Sequence, residues 1–74
     1  MNILITSAGQ RVSLVRSFQA EMKKFEPGAK VFTADMAPQL SPACQIADKY
    51  FRVRPVTSEQ YISDLLDLCK KNDV

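Results

Sequence analysis

The sequence contains no histidine and no tryptophan, and only two cysteines and two glycines among its 74 residues. The lack of histidine excludes most zinc sites and every Ser-His or Cys-His catalytic dyad. Cys44 and Cys69 each lie in an apolar helical pattern with no histidine to activate the thiol. We therefore interpret both as small buried hydrophobic residues of a cytoplasmic protein.

Long apolar runs and a strong charge of either sign are also missing. Without a charged-then-apolar leader or an apolar run of membrane length, we expect neither export nor membrane insertion. The net charge of +2 is small and scattered, so it does not indicate nucleic acid or an anionic membrane as a partner. A hydrophobic fraction of 46% with 24% charged residues predicts one small globular domain.

The chain opens with a strand and a tight turn. Ile3–Ile5 is an unbroken apolar run, which predicts a strand buried on both faces in a parallel sheet. Thr6–Gly9 are small residues that allow a sharp turn, and helical spacing begins at Val12. A strand, a small-residue turn and a helix N-terminus often form an anion cradle in α/β proteins. The alternative is an ordinary turn that binds nothing.

The residues after this turn predict a helix and a second strand. Helical spacing from about Gln10 to Phe25 places one apolar stripe toward the sheet, made of Val15, Phe18, Met22 and Phe25. Pro27-Gly28 ends the helix. The second strand is predicted over Lys30–Met36, with Asp35 at its carboxyl end.

Two more helices and a third strand follow. Ser41-Pro42 provides the N-cap hydroxyl and first-turn proline of a short helix. Tyr50–Arg54 alternates with period two, which predicts an edge strand with one wetter face. Thr57–Gln60 fits a capping box. The helix after it should end around Lys70-Lys71, and its apolar stripe comprises Ile62, Leu65, Leu66 and Cys69.

The order β-α-β-α-β-α predicts an α/β fold. We expect a three-layer, Rossmann-like half domain in which a short parallel sheet has helices on both faces. Residues 1–74 are predicted to form this single domain, truncated where a fourth strand would begin. The uncharged first strand would then lack a partner on one side. We therefore expect a homo-oligomer, formed through the first strand or the last helix.

Four charged residues near the end of the chain are interpreted as surface features. Arg52 and Arg54 share one face of the third strand, where they would protect a sheet edge from pairing. Asp64 and Asp67 are three residues apart on the wet face of the last helix. No base, metal ligand or nucleophile accompanies them, so their expected role is solvation.

Arg11 indicates a ligand at the first turn. A cation in the first turn of a helix opposes the helix dipole, and a bound anion at that N-terminus would reverse the sign of this interaction. The alternative is that Arg11 points into solvent or pairs with an acid such as Asp35. We predict a weak site for a small anionic substrate, with no catalytic residue and no metal ligand. Its candidate residues are Ser7, Ala8, Gly9, Gln10, Arg11 and Asp35.

A dinucleotide site is the second hypothesis for the turn. The Rossmann fingerprint needs three glycines, and this turn contains only Gly9. Asp35 does lie where an acid that binds ribose would be found. A fragment that binds NAD or a nucleotide sugar, and a small interaction module with an exposed sheet edge, are therefore the alternative functions.

Three stretches carry a resemblance to a known family. They are Ile3–Gly9 followed by Arg11, Thr33–Met36 followed by Pro38, and Ala47-Asp48 before an aromatic strand. Together they resemble the N-terminal, Rossmann-like domain of ATP-grasp enzymes, and most of all the carbamoyl-phosphate-synthase large-subunit-like proteins.

This resemblance implies a role as part of a carboxylate–amine ligase. In such enzymes ATP and Mg²⁺ are held by two later domains, and the N-terminal domain helps to hold the acceptor substrate. By the same resemblance Ser7, Gly9 and Arg11 would face the substrate, with Asp35 nearby. The chain would be inactive alone, without cofactors of its own, and its partners would be the remaining ATP-grasp domains.

Overall fold

The computed structural model describes residues 2–74 and contains a three-stranded parallel sheet. Its strands are β1 (Ile3–Thr6), β2 (Val31–Asp35) and β3 (Lys49–Arg52), and its helices are α1 (Val12–Phe25), α2 (Pro42–Ile46) and α3 (Tyr61–Lys71). The strand order is β1-β2-β3, with Ile3 opposite Val31 and Phe32 opposite Lys49. The predicted α/β class and element order are confirmed.

Helices cover both faces of the sheet. On one face, α1 and α2 enclose a buried cluster of Ala8, Val15, Val31, Ala43 and Cys44. On the other face, α3 packs on a cluster of Ala34, Val53 and Tyr61, flanked by Leu4, Leu65 and Leu68. Successive residues of a strand point to opposite faces, so β2 supplies Val31 to the first cluster and Ala34 to the second. The three-layer arrangement is therefore confirmed.

The first strand is less buried than its sequence predicts. Ile3–Ile5 are half-buried rather than covered on both faces. Among residues 2–74, β1 pairs only with β2, so it lies at an edge of the sheet, while the central strand β2 is almost fully buried. The other edge is β3, which runs over Lys49–Arg52 instead of the predicted Tyr50–Arg54. The predicted period-two alternation is confirmed by exposed Arg52 and by buried Val53 directly after the strand.

The first helix starts later and buries less than predicted. Gly9-Gln10 form a turn, so the helix begins at Val12 instead of Gln10. Val15 and Met22 are buried as predicted. Phe18 and Phe25 are exposed, which contradicts the predicted stripe. The sheet has only three short strands, so nothing in it covers the far flank and the end of this helix.

The middle of the chain follows the prediction closely. Ser41 is the N-cap of α2, where its side chain accepts a hydrogen bond from the Cys44 amide, and Pro42 is the first helical residue. A short 3-10 helix over Pro38–Leu40 precedes it. The Cys44 thiol is buried and free, as expected, whereas that of Cys69 is only half-buried.

The last helix differs most from its prediction. The capping box is wrong, because α3 begins at Tyr61 after Gln60, with no side-chain cap. Its end at Lys71 is confirmed. The stripe that packs on the sheet consists of Tyr61, Leu65 and Leu68, whereas Ile62 and Leu66 are exposed. Leu65 is common to the predicted and the observed stripe, and the helix packs with the Tyr61 and Leu68 side of Leu65 toward the core. None of the helices in residues 2–74 has the length and apolar character needed to cross a membrane.

Candidate functional site

Two adjoining clefts lie at the carboxyl ends of the strands. The turn cleft, about 400 Å³ in volume, is lined by residues that include Ser7, Asp35, Val56, Thr57 and Tyr61. The charged cleft, about 650 Å³ in volume, is lined by residues that include Arg52, Asp64, Asp67 and Lys71. Both share one wall, formed by Met36, Val53, Arg54 and Pro55. This edge of a parallel α/β sheet is where such domains usually bind ligands.

The Asp35 carboxylate accepts hydrogen bonds from backbone amides at and near the first turn. Its Oδ2 accepts a hydrogen bond from the Gly9 amide at 2.8 Å, and its Oδ1 accepts one from the Ala37 amide at 3.2 Å. Hydrogen bonds from backbone amides to a carboxylate are charge-assisted and strong. The Gly9 amide, predicted to serve an external anion, is therefore already occupied by the protein's own carboxylate.

Ser41 fastens the same turn from the other side. Its hydroxyl donates to the Gly9 carbonyl at 2.5 Å, and that carbonyl also accepts from the Ala43 amide at 3.3 Å. The Ser41 oxygen in turn accepts from the Cys44 amide at 3.2 Å. One hydroxyl thus caps α2 and holds the turn. The sequence identified the cap, but no local signal could identify a partner 32 residues away.

The turn backbone is strained where it enters the site. Ser7 has φ of +50° and Gly9 has φ of +51°, both in the left-handed region. Glycine adopts this region freely, whereas serine does so at a cost of about 1–2 kcal/mol. Strain of this kind is common where a backbone is shaped for a ligand. In this left-handed conformation, Ser7 lies on the wall of the turn cleft.

The six candidate residues occupy different positions around this turn. Ser7 and Asp35 line the turn cleft. Ala8 is buried, with its amide donating to the Ala34 carbonyl, and it forms the turn together with Gly9. Gln10 is exposed.

Arg11 is also exposed, at the N-cap position of α1. Among residues 2–74 its guanidinium has no hydrogen bond or ion pair, so the expected alternative pairing with Asp35 is absent. The anion site at the turn stays a prediction.

Arg54 links the two clefts. Its Nε lies 3.4 Å from Asp64 Oδ2, and its Nη1 donates to Gln60 Oε1. The prediction that Asp64 serves only solvation is therefore wrong, and Arg54 does more than protect an edge. Sequence analysis missed this pair because nine residues of irregular chain and helix start lie between its members. It also missed Thr57 and Tyr61, which only the folded chain brings to the turn cleft.

The part of the chain that the structure describes contains no group of three or more His, Cys, Asp or Glu residues placed to hold a metal ion.

Comparison with known proteins gives one family. No curated protein matches the sequence. Residues 3–74 match the family described as PylC-like, N-terminal domain, which covers nearly the whole chain. This match confirms the predicted relation to the N-terminal region of ATP-grasp enzymes. The narrower resemblance to carbamoyl-phosphate-synthase large-subunit-like proteins is not confirmed by it. The chain therefore belongs to the PylC-like N-terminal domain family, an N-terminal region of ATP-grasp enzymes.

Proposed function

We propose that this domain binds the acceptor substrate of an ATP-grasp carboxylate–amine ligase and does not catalyse the reaction by itself. The observation that carries the proposal is the pair of adjoining clefts at the carboxyl ends of the strands. Membership in the PylC-like family supports the ligase class. The carbamoyl-phosphate-synthase-like specificity is a narrower proposal, and it rests on the sequence resemblance alone.

The charges around the clefts favour a small anionic substrate. Arg54 stands in the shared wall, and a guanidinium carries five N–H donors. Its contacts with Asp64 and Gln60 occupy Nε and Nη1, so further donors are free for a carboxylate. Ser7 and Thr57 add hydroxyl groups on the turn-cleft side.

The remaining ATP-grasp domains are the proposed partners for catalysis. ATP and Mg²⁺ would be bound by those domains and would supply the activation of the carboxylate. The role of this chain's residues is then to bind and orient the acceptor. Arg54 would hold its charged group, and the turn fastened by Asp35 and Ser41 would give the cleft wall a fixed shape.

A titration of the isotopically labelled chain with small mono- and dicarboxylates tests the substrate class. We expect amide resonance shifts confined to the clefts, including Ser7, Arg54 and Thr57. Arg54→Ala should weaken binding at least tenfold, because a charge-assisted hydrogen bond contributes about 1.5–3 kcal/mol. Arg16→Ala, an exposed change on α1, is the matched control and should leave binding unchanged. Shifts spread over the surface, or an equal effect of both variants, would contradict the proposal.

A further inference from the structure

Two arginines line the charged cleft, and they differ in how they are held among residues 2–74. Arg54 Nε lies 3.4 Å from Asp64 Oδ2, and Arg54 Nη1 donates to Gln60 Oε1. Arg52 lines the same cleft and is exposed, and its guanidinium makes no hydrogen bond or ion pair within the described chain. The fold therefore fixes one of these two cations more firmly than the other.

Both ends of the Arg54 side chain are attached to secondary structure. At the backbone, the amide of the preceding residue, Val53, donates to the Asp35 carbonyl at 3.0 Å and continues the pairing of β3 with β2. At the guanidinium, both partners belong to the start of α3, where Gln60 is the N-cap residue and Asp64 lies in the first turn. The Asp64 amide donates to the Gln60 carbonyl at 2.9 Å, so the two side chains lie one helical turn apart on the same flank.

The segment before α3 fixes the position of Gln60. The Ser58 amide donates to the Pro55 carbonyl at 2.8 Å, and the Gln60 amide donates to Ser58 Oγ at 3.2 Å. The Tyr61 amide donates to the Ser58 carbonyl at 3.2 Å, and Tyr61 itself is buried in the core. The backbone that carries the Gln60 side chain therefore has a defined conformation.

We propose that Asp64 and Gln60 are positioning residues, which hold the Arg54 guanidinium ready for the carboxylate of the acceptor substrate. This inference rests on the proposed function, in which Arg54 binds that group. A free arginine side chain loses rotamer freedom when a ligand orders it, and this loss opposes binding. Because Asp64 and Gln60 order Arg54 when the chain folds, the ligand meets a side chain that is already fixed. Arg52 still has to be ordered by the ligand, so its contribution should be smaller.

The two contacts leave donors for a ligand. A guanidinium has five N–H groups in a rigid planar fork. Asp64 and Gln60 engage Nε and Nη1, and Nη2 has no partner among residues 2–74. Fixing two nitrogens of a planar group also fixes the direction of the third. The Arg54 side chain is 53% exposed, so a carboxylate can reach Nη2 and accept from it.

Asp64 also has an electrostatic effect in the opposite direction. Its negative charge lowers the attraction of the cleft for an anion. Asp67 is the matched comparison, because it lies three residues further along α3, lines the same cleft and makes no ion pair with residues 2–74. If charge alone mattered, replacing either aspartate would strengthen carboxylate binding. If positioning matters, only the loss of Asp64 releases Arg54.

A titration of the isotopically labelled chain with small carboxylates, in the wild type and five variants, tests this inference. Gln60→Ala changes no charge and should weaken binding about three- to tenfold, the cost of ordering one side chain. Asp64→Ala should bind more weakly than Asp67→Ala, although both remove one negative charge from the cleft. Arg54→Ala should weaken binding more than Arg52→Ala, although both remove one positive charge.

The Nε–H resonance of Arg54 reports the positioning directly in the free chain, and its loss in Arg54→Ala assigns it. The heteronuclear NOE of this group should be high in the wild type and in Asp67→Ala, and should fall in Asp64→Ala and Gln60→Ala. The circular dichroism spectrum should stay the same in these variants, because none of the replaced side chains is buried.

The possible results distinguish this inference from the proposed function. A wild-type chain that binds no carboxylate would overturn both. Carboxylate binding that Gln60→Ala leaves unchanged, or equal effects of Asp64→Ala and Asp67→Ala, would overturn the positioning role and leave the substrate class standing. A mobile Arg54 Nε–H group in the wild type would also overturn the positioning role.

Discussion

Thr33 has a buried hydroxyl without a partner. It is fully buried on β2, and Thr33 Oγ1 makes no hydrogen bond among residues 2–74. An unsatisfied buried polar group costs about 1–3 kcal/mol. We expect Thr33→Val, which preserves the shape, to raise the free energy of unfolding by about 1 kcal/mol in urea titration. Thr57→Val, at an exposed position, should have little effect. A lower stability for Thr33→Val would mean that the hydroxyl has a partner.

Ser41 has two structural roles, and removing its hydroxyl should affect both. Ser41→Ala removes the cap of α2 and the hydrogen bond to the Gly9 carbonyl. We expect a loss of about 2 kcal/mol in the free energy of unfolding, since an N-cap and a hydrogen bond each contribute about 1 kcal/mol. Ser13→Ala, on the exposed side of α1, is the control. Equal urea midpoints for the two variants would contradict the assigned roles.

We expect Arg11 to contribute to ligand binding and to have little effect on the free energy of unfolding. Its guanidinium is exposed and makes no ion pair with residues 2–74. Arg11→Ala should therefore change the free energy of unfolding by less than about 0.5 kcal/mol. The same change should weaken phosphate binding at the turn, measured by calorimetry with Arg16→Ala as the control. Unchanged phosphate affinity would remove Arg11 from the site.

At the scale of the element, α3 has some apolar residues that pack on the core and others that are exposed. Leu65 packs on the core cluster, whereas the next residue, Leu66, is 55% exposed. We expect Leu65→Ala to lower the free energy of unfolding by about 2 kcal/mol, at the low end of the usual cost because this residue is only half-buried. Leu66→Ala should have a much smaller effect, because its side chain is exposed. A larger loss for Leu66→Ala than for Leu65→Ala would mean that Leu66, and not Leu65, packs on the core.

At the scale of the whole molecule, we expect the isolated chain not to bind ATP with Mg²⁺ at micromolar strength. Phosphoryl transfer needs metal ions and cations around the transferring group. In residues 2–74 the acid beside the turn is Asp35, both of whose oxygens already accept backbone amides. Calorimetry with ATP and MgCl₂ should give no isotherm, and a complete ATP-grasp ligase is the positive control. A micromolar, Mg²⁺-dependent isotherm would contradict the proposed division of roles.

Most of the fold follows from local sequence. The apolar run of Ile3–Ile5, the proline and glycine of Pro27-Gly28, and the Ser41-Pro42 helix start predict the order of strands and helices correctly. Each of these signals acts between residues close in the chain, by sterics, backbone dihedral preference or capping. Asp35 was likewise placed correctly at the carboxyl end of β2 from its position alone.

The site depends on tertiary structure. The partners in the Asp35–Gly9 and Ser41–Gly9 hydrogen bonds are 26 and 32 residues apart, and Arg54 meets Asp64 only after α3 has packed on the sheet. Helical periodicity shows that α3 has apolar residues on more than one flank. Which flank is buried depends on how the helix packs on the narrow three-stranded sheet. Local sequence therefore determined the order of the elements, whereas packing decided which groups line the clefts and which apolar rows stay exposed.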